Sequence, residues 1–175
     1  MKKEVIFTGI GGQGIVKSAI LLAEAGMLAG LYAAQTARYD AAARGAITEG
    51  ETILSSDVID FPHVHDGDIH AAFNLAAFEK YNKYLKADGV VIYDSSIFVP
   101  TEDSKGSKMP IAATELSLEK FNMPGLANII MLGAVSHLFK EIEKRHFINA
   151  IETGFKRYIK ENLQAFTLGR ELASR

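Results

Sequence analysis

A glycine-rich turn near the start of the chain holds the residues best suited to bind an anion. It reads Gly9-Ile10-Gly11-Gly12-Gln13-Gly14, follows the apolar segment 4–8, and precedes apolar residues at helical spacing. Glycines allow positive φ angles and the close approach of another group, and the first amides of a helix carry partial positive charge. We therefore predict a phosphate or carboxylate site at this turn, with Gln13 exposed beside it. The candidate binding residues are Gly9, Gly11, Gly12, Gln13 and Gly14.

Two alternatives for the turn stay open at this stage. Its glycines match the G-x-G-x-x-G motif of dinucleotide-binding folds, which place an acidic residue about 20 residues further on, at the end of the second strand. The predicted second strand is 31–36, and Arg38 follows it instead of an acid. Since Arg38 would suit a 2′-phosphate, one alternative is a stand-alone NAD(P)-binding oxidoreductase. In the other, the glycines serve only strand–helix packing or a subunit contact.

Histidines and aspartates form one cluster with the chemistry of metal ligands. Its members are His63, His65, Asp66, Asp68 and His70. Their spacing fits no standard zinc signature, and the stretch lies between two predicted strands. The pattern favours a solvated loop, so we predict no metal ligand in this chain.

A second polar group, Asp94-Ser95-Ser96, ends a predicted buried strand. Open α/β sheets place ligands at that end of their strands, but these residue types are also typical of turns and helix caps. The chain has no phosphate loop of the G-x-x-x-x-G-K-[ST] type and no nucleophile elbow. We therefore predict no catalytic residue here.

Composition excludes several kinds of chemistry. The 175 residues suffice for one domain with a substantial core, and the net charge of −2 gives no basic surface for nucleic acid. The chain has no cysteine, which excludes cysteine-ligated iron–sulfur clusters and thiolate zinc sites. No apolar run reaches the roughly 20 residues of a membrane span. Because Met1-Lys2-Lys3-Glu4 leads into a strand rather than a signal sequence, we expect a cytoplasmic location.

The order of predicted elements indicates the fold class. Strands are predicted at 4–8, 31–36, 46–55, 68–73, 89–93 and 111–113, the third with a bend or hairpin near Gly50. Two helices are predicted to begin at residues 15 and 114, and three more are predicted at 76–85, 126–140 and 145–163. The segment 100–110 is predicted to be an exposed loop. Four successive apolar residues at 90–93 are typical of a strand in a parallel sheet. We predict a single domain, 1–175, of three-layer α/β/α architecture with a mostly parallel, Rossmann-like central sheet.

Several segments share one family resemblance. The turn at 9–14, with Gln13, matches a G-x-G-G-Q-G opening, and Ala42-Ala43-Arg44-Gly45 is similar to an E-A-R-G-G segment, although Ala46 replaces its second glycine. The stretch 54–62 resembles an I-S-D…I…P pattern, and 128–134 resembles an N-x-x-x-L-G-A helix. Together these motifs resemble the gamma subunits of 2-oxoacid:ferredoxin (acceptor) oxidoreductases.

The resemblance implies a subunit of an enzyme that converts a 2-oxoacid and coenzyme A to acyl-CoA and carbon dioxide. It implies thiamine diphosphate on partner alpha and beta subunits, and iron–sulfur clusters on cysteine-bearing chains such as a ferredoxin-like delta subunit. The isolated chain is expected to be inactive, with a coenzyme A contact at the glycine turn. Arg44 joins the candidate binding residues, because a guanidinium suits a phosphate or carboxylate. The stretch 59–62, Ile-Asp-Phe-Pro, favours the 2-oxoglutarate branch over pyruvate.

Overall fold

A computed structural model describes residues 1–40 and 46–175. Its strands are β1 (Lys2–Ile10), β2 (Tyr32–Tyr39), β3 (Ile47–Ser55), β4 (Gly67–Ala72), β5 (Leu85–Asp94) and β6 (Ser107–Ile111). They form one six-stranded sheet in the order β2-β3-β1-β4-β5-β6. β1, β4, β5 and β6 pair in parallel, whereas β3 pairs antiparallel with both β1 and β2. The predicted α/β class with a mostly parallel sheet is confirmed.

Helices cover the two faces of the sheet unequally. They are α1 (Ile15–Leu28), α2 (Leu75–Tyr81), α3 (Ala113–Phe121), α4 (Ala127–His137), α5 (Lys144–Gly154) and α6 (Ile159–Ala173). The larger core joins one face of the sheet to α1, α4, α5 and α6. On the other face, α2 and the segment after β3 cover smaller apolar clusters that include Phe78 and Val64. Within residues 1–40 and 46–175, none of the helices combines the length and the apolar character that a membrane span requires.

Gly50 does not bend its strand, contrary to the sequence-based prediction. β3 runs unbroken from Ile47 to Ser55 and pairs with β1 along its whole length. A Cβ on Gly50 would lie 2.9 Å from the Cβ of Ala19 and 3.3 Å from the carbonyl oxygen of Ile15. The glycine therefore lets α1 pack closely against β3, which is a tertiary requirement rather than a local one.

The predicted helix 145–163 is wrong as a single element. It is divided into α5 and α6, and the second begins after Tyr158, whose φ of 56° lies in the left-handed region. The predicted helix 76–85 ends earlier, at Tyr81, and the predicted loop 100–110 contains most of β6. An apolar period continues across such breaks, so periodicity alone does not locate them.

Candidate functional site

Each glycine of the turn after β1 has its own environment. A Cβ on Gly9 would collide with Gln13 Oε1 and lie 2.7 Å from Ile15 Cδ1, and a Cβ on Gly14 would collide with Asn128 Nδ2. Gly11 and Gly12 are exposed, and no described atom lies within 4 Å of a Cβ built on either. Gly9 and Gly14 therefore serve packing, whereas Gly11 and Gly12 form the open surface of the turn.

Gln13 holds the turn closed instead of standing free beside it. Its Oε1 accepts a hydrogen bond of 2.8 Å from the amide of Ile10, and the residue is half-buried. The amide of Gly11 donates to the carbonyl of Ala46 at 3.0 Å, which ties the turn to the start of β3. The predicted exposure of Gln13 is thus replaced by a role in shaping the backbone.

The start of α1 is favourable for an anion. No side chain caps the helix, and its first turn contains no acidic residue. Gly14 is the N-cap, with φ 75°, a conformation that L side chains rarely adopt. The positive end of the helix dipole is therefore not compensated by a side-chain carboxylate in its first turn.

A crevice of about 250 Å³ adjoins the turn at the carboxyl end of β1. Its lining includes Gly12, Gln13, Phe73, Thr114, Gly125 and Ala127. The turn thus meets the residue that follows β4, the first turn of α3 and the start of α4. Open α/β sheets place ligands in this position, so the crevice and the exposed glycines together form the candidate anion site.

Asp94, at the end of β5, is occupied by structural hydrogen bonds. Its carboxylate accepts from the hydroxyls of Ser96 and Thr114, both at 2.6 Å, and from the amide of Thr114 at 3.0 Å. The residue is fully buried. This arrangement supports the turn and the start of α3, as the helix-cap interpretation of the sequence expects.

The histidines of the histidine–aspartate cluster have other partners in the structure. Within residues 1–40 and 46–175, no group of three or more histidine and acidic side chains could hold a metal ion. His63 Nδ1 lies 3.0 Å from Glu51 Oε2, and the exposed His65 stacks on Phe61. His70 is fully buried in β4, with Nε2 2.8 Å from Thr8 Oγ1, and burial lowers the pKa of its imidazole to about 3.

Two buried carboxyl groups on β3 were missed by the sequence analysis. Glu49 and Glu51 are only 1% and 2% exposed. Burial, reinforced by the charge of Glu51, raises the pKa of Glu49 to about 7. Glu51 accepts a 2.6 Å hydrogen bond from Thr36, whereas one carboxyl oxygen of Glu49 has no hydrogen-bond partner among the described residues. The polar residues of 46–55 give no local sign of burial, but α2 and the segment after β3, which brings His63 to Glu51, cover this face.

Arg44 lies outside the described residues. The nearest described residues on either side are Asp40 and Ala46. The Asp40 amide donates to the carbonyl of Ile47 at 3.0 Å. The role of Arg44 therefore stays a prediction.

Comparison with known proteins identifies the class. Residues 4–172 match the pyruvate ferredoxin/flavodoxin oxidoreductase family. The chain belongs to that family and is a gamma-type subunit of a 2-oxoacid:ferredoxin oxidoreductase. The sequence-based identification is confirmed.

Full-length relatives refine this picture. The chain is 35% identical over 182 residues to the 2-oxoglutarate synthase subunit KorC of Methanocaldococcus jannaschii, covering 99% of this chain and 95% of the relative. The gamma subunit of a keto/oxoacid ferredoxin oxidoreductase from Geobacter sulfurreducens has a TM-score of 0.87 at 26% identity, over 98% of both chains. A 2-oxoglutarate:ferredoxin oxidoreductase from Magnetococcus marinus gives the same TM-score at 25% identity. That structure holds 2-oxoglutarate, coenzyme A and succinyl-CoA, and the match covers 99% of this chain but 31% of the longer one.

Proposed function

We propose that this gamma subunit works in a 2-oxoglutarate:ferredoxin oxidoreductase, where it supports oxidative decarboxylation of the 2-oxoacid to acyl-CoA. The observation that carries the proposal is the full-length similarity to a 2-oxoglutarate synthase subunit. Thiamine diphosphate is bound by the alpha and beta partners, and iron–sulfur clusters by a ferredoxin-like delta partner. The absence of cysteine from this chain supports that division, because cysteine thiolates are the usual cluster ligands.

Reconstitution tests this proposal. The chain is co-expressed with the alpha, beta and delta partners from the same genome, and substrate-dependent reduction of ferredoxin or a viologen dye is measured. We expect a higher kcat/KM for 2-oxoglutarate than for pyruvate, and no turnover by the single chain. A preference for pyruvate would contradict the substrate, and turnover by the single chain would contradict the division of labour.

Within this complex, the glycine turn presents its exposed face to an anionic group of coenzyme A or to a partner subunit. Gly11 and Gly12 are open, the start of α1 lacks an acidic residue, and the crevice adjoins both. Backbone amides at a helix start suit a phosphate. Coenzyme A bound in the Magnetococcus marinus relative supports this assignment.

The substitution Gly12→Val tests the turn. Gly12 has φ 93°, so valine introduces both backbone strain and bulk at the open surface. Gly30→Val is the matched control, because Gly30 also has positive φ, 84°, and open surroundings, but lies beyond the other end of α1. We expect only Gly12→Val to raise the KM for coenzyme A or the subunit Kd. If assembly and coenzyme A kinetics survive Gly12→Val, the turn serves internal packing alone.

The sheet order does not favour the NAD(P) alternative. In dinucleotide-binding folds the second strand lies beside the first, whereas here β3 separates β2 from β1. The end of β2 is therefore about 10 Å from the glycine turn, two strand spacings away. Arg38, the candidate for a 2′-phosphate, lies 3.2 Å from His63 Nδ1 through its Nη2 atom. Equilibrium dialysis against NADPH tests this alternative, which requires binding by the single chain that the substitution Gly12→Val abolishes.

A further inference from the structure

A second cavity lies away from the glycine turn, between the end of β2 and the end of α2. Its volume is about 510 Å³, within the range of roughly 300–1,000 Å³ that is usual for small-molecule sites. Its lining includes Arg38, Tyr39, Lys80, Tyr81, Lys83 and Tyr84, which we call the tyrosine–lysine pocket. Three cationic side chains and three phenol rings thus line the same pocket. None of these residues takes part in the function proposed for the glycine turn.

The cationic groups of the pocket are held in position by their neighbours. Lys83 Nζ lies 4.9 Å from the centroid of the Tyr84 ring, and Lys80 Nζ lies 5.3 Å from that of Tyr81. Such contacts between a cation and a ring face are attractive. Arg38 Nε lies 3.9 Å from the buried carboxylate oxygen Oε2 of Glu49. All three cations are exposed, and each has one of these neighbours beside it.

Excess positive charge in the pocket falls on two of these groups. Lys80 is engaged by Asp40, whose two carboxylate oxygens lie 2.7 and 2.8 Å from Nζ. Asp40 is the only acidic residue in the lining, among the described residues. Asp40 compensates Lys80. Arg38 is engaged in part, by Glu49 at its Nε atom and by His63 Nδ1, 3.2 Å from its Nη2 atom. Lys83 therefore supplies most of the charge that attracts an anion, and the remaining N–H groups of the Arg38 guanidinium, which has five donors, add to it. A guanidinium and an ammonium group are the usual protein partners of a phosphate.

The remaining ring offers a flat apolar surface. Tyr39 is 68% exposed, while Tyr81 is buried and the face of Tyr84 is covered by Lys83. An exposed aromatic ring beside phosphate-binding cations is the arrangement that binds a base by stacking and its phosphate by charge. We propose that the tyrosine–lysine pocket binds a phosphorylated aromatic ligand of the nucleotide class, with phosphate on Arg38 and Lys83 and the base on Tyr39.

This chemistry has two sources, a free nucleotide and the nucleotide portion of coenzyme A. Isothermal titration calorimetry of the full chain with ADP, inorganic pyrophosphate and coenzyme A separates them. Binding of ADP that exceeds binding of pyrophosphate supports the site, since the base then contributes. Competition of coenzyme A with ADP assigns the site to the coenzyme, and ADP binding without competition assigns it to a free nucleotide.

Three variants test the residues. We expect Lys83→Glu and Tyr39→Ala each to weaken ADP binding at least about tenfold, the loss expected for one charge-assisted contact or for one stacked base. Lys156→Glu makes the same charge change at an exposed position between α5 and α6 and should leave ADP binding unchanged. Gly12→Val should also leave it unchanged, which separates this pocket from the glycine turn. The proposal is overturned if ADP does not bind at millimolar concentration, if pyrophosphate binds as well as ADP, or if Lys83→Glu matches Lys156→Glu.

Discussion

Gly14 and Asn128 lie 114 positions apart in the sequence and meet at the start of α1. The side-chain amide of Asn128 donates a 3.3 Å hydrogen bond to the carbonyl of Gly14, and Asn128 is buried. Ser18 Oγ donates to the same carbonyl, at 3.3 Å. The glycine-rich turn and the N-x-x-x-L-G-A helix are thus one structural unit, in which α4 fixes the backbone that begins α1.

Gly14→Ala should destabilise the chain by about 1–3 kcal/mol, because a non-glycine residue is strained at positive φ and its Cβ would collide with Asn128. The measurement is the free energy of unfolding in urea. Gly11→Ala is the control, because Gly11 has no positive φ and no described atom within 4 Å of its Cβ position. Equal unfolding free energies for the two variants would contradict the contact.

Gly169→Ala should also be strongly destabilising, since α4 and α6 touch through their backbones. A Cβ on Gly169 would collide with the carbonyl oxygen of Ile130 and lie 3.1 Å from the amide nitrogen of Ala134. Overpacking in a core costs typically about 1–3 kcal/mol, and backbone atoms cannot rotate away as a side chain can. Thermal unfolding measures the loss, and Gly125→Ala, in open surroundings, should leave the Tm near the parent value. A similar Tm for both variants would show that α6 shifts without cost.

Glu49→Gln should stabilise the chain above neutral pH. The pKa of Glu49 is raised from 4.5 to about 7, first by burial and then by the charge of Glu51. Its protonated form therefore stabilises the fold below pH 4.5, and this contribution is lost as the pH rises through about 7. At pH 8 the unfolding free energy of Glu49→Gln should exceed that of the parent chain by about 1–3 kcal/mol, and at pH 4 the two should be nearly equal. Glu141→Gln, on the surface, should leave the unfolding free energy unchanged at both pH values. If Glu49→Gln changes the unfolding free energy equally at pH 4 and pH 8, the raised pKa of Glu49 is refuted.

His70→Gln should reduce the sensitivity of the fold to acid. The pKa of His70 is lowered from 6.5 to about 3 by burial, so the unfolded state takes up a proton that the folded state refuses. The unfolding free energy should therefore fall by up to about 1.4 kcal/mol per pH unit between pH 6 and 3. Urea unfolding across this range should show a shallower dependence for His70→Gln than for the exposed control His65→Gln. Parallel curves for the two variants would mean that His70 is already protonated in the fold.

Arg44→Lys should impair the complex even though it keeps the charge, because lysine lacks the planar fork that binds two oxygens at once. A charge-assisted hydrogen bond is worth roughly 1.5–3 kcal/mol, so the KM for coenzyme A or the subunit Kd should rise about tenfold or more. Both are measured on the reconstituted complex, with Arg145→Lys, in α5, as the control. Normal assembly and turnover in both Arg44→Lys and Arg44→Ala would show that Arg44 is a surface residue.

Local patterns were sufficient for the strand–turn–helix unit at the start of the chain and for β5. The predicted strands 4–8 and 89–93 lie within β1 and β5, and α1 begins at the predicted residue. Both strands contain a continuous apolar run, at 5–7 and 90–93, and the turn is marked by glycines, so these signals depend on near neighbours in the sequence. The metal-like cluster lacked any such regular spacing, and within residues 1–40 and 46–175 it does not form a group that could hold a metal ion.

The sequence by itself determined the class of domain, the family and the absence of cysteine ligands, because motif residues and composition need no knowledge of contacts. Tertiary structure alone decided that Glu49 and Glu51 are buried, since a polar alternation in a strand looks the same whether α2 covers that face or water does. It also decided which glycines pack and which are open. Gly9, Gly12 and Gly14 are the same residue type in the sequence. In the structure Gly9 packs against Gln13 and Gly14 against Asn128 of α4, whereas Gly12 is open.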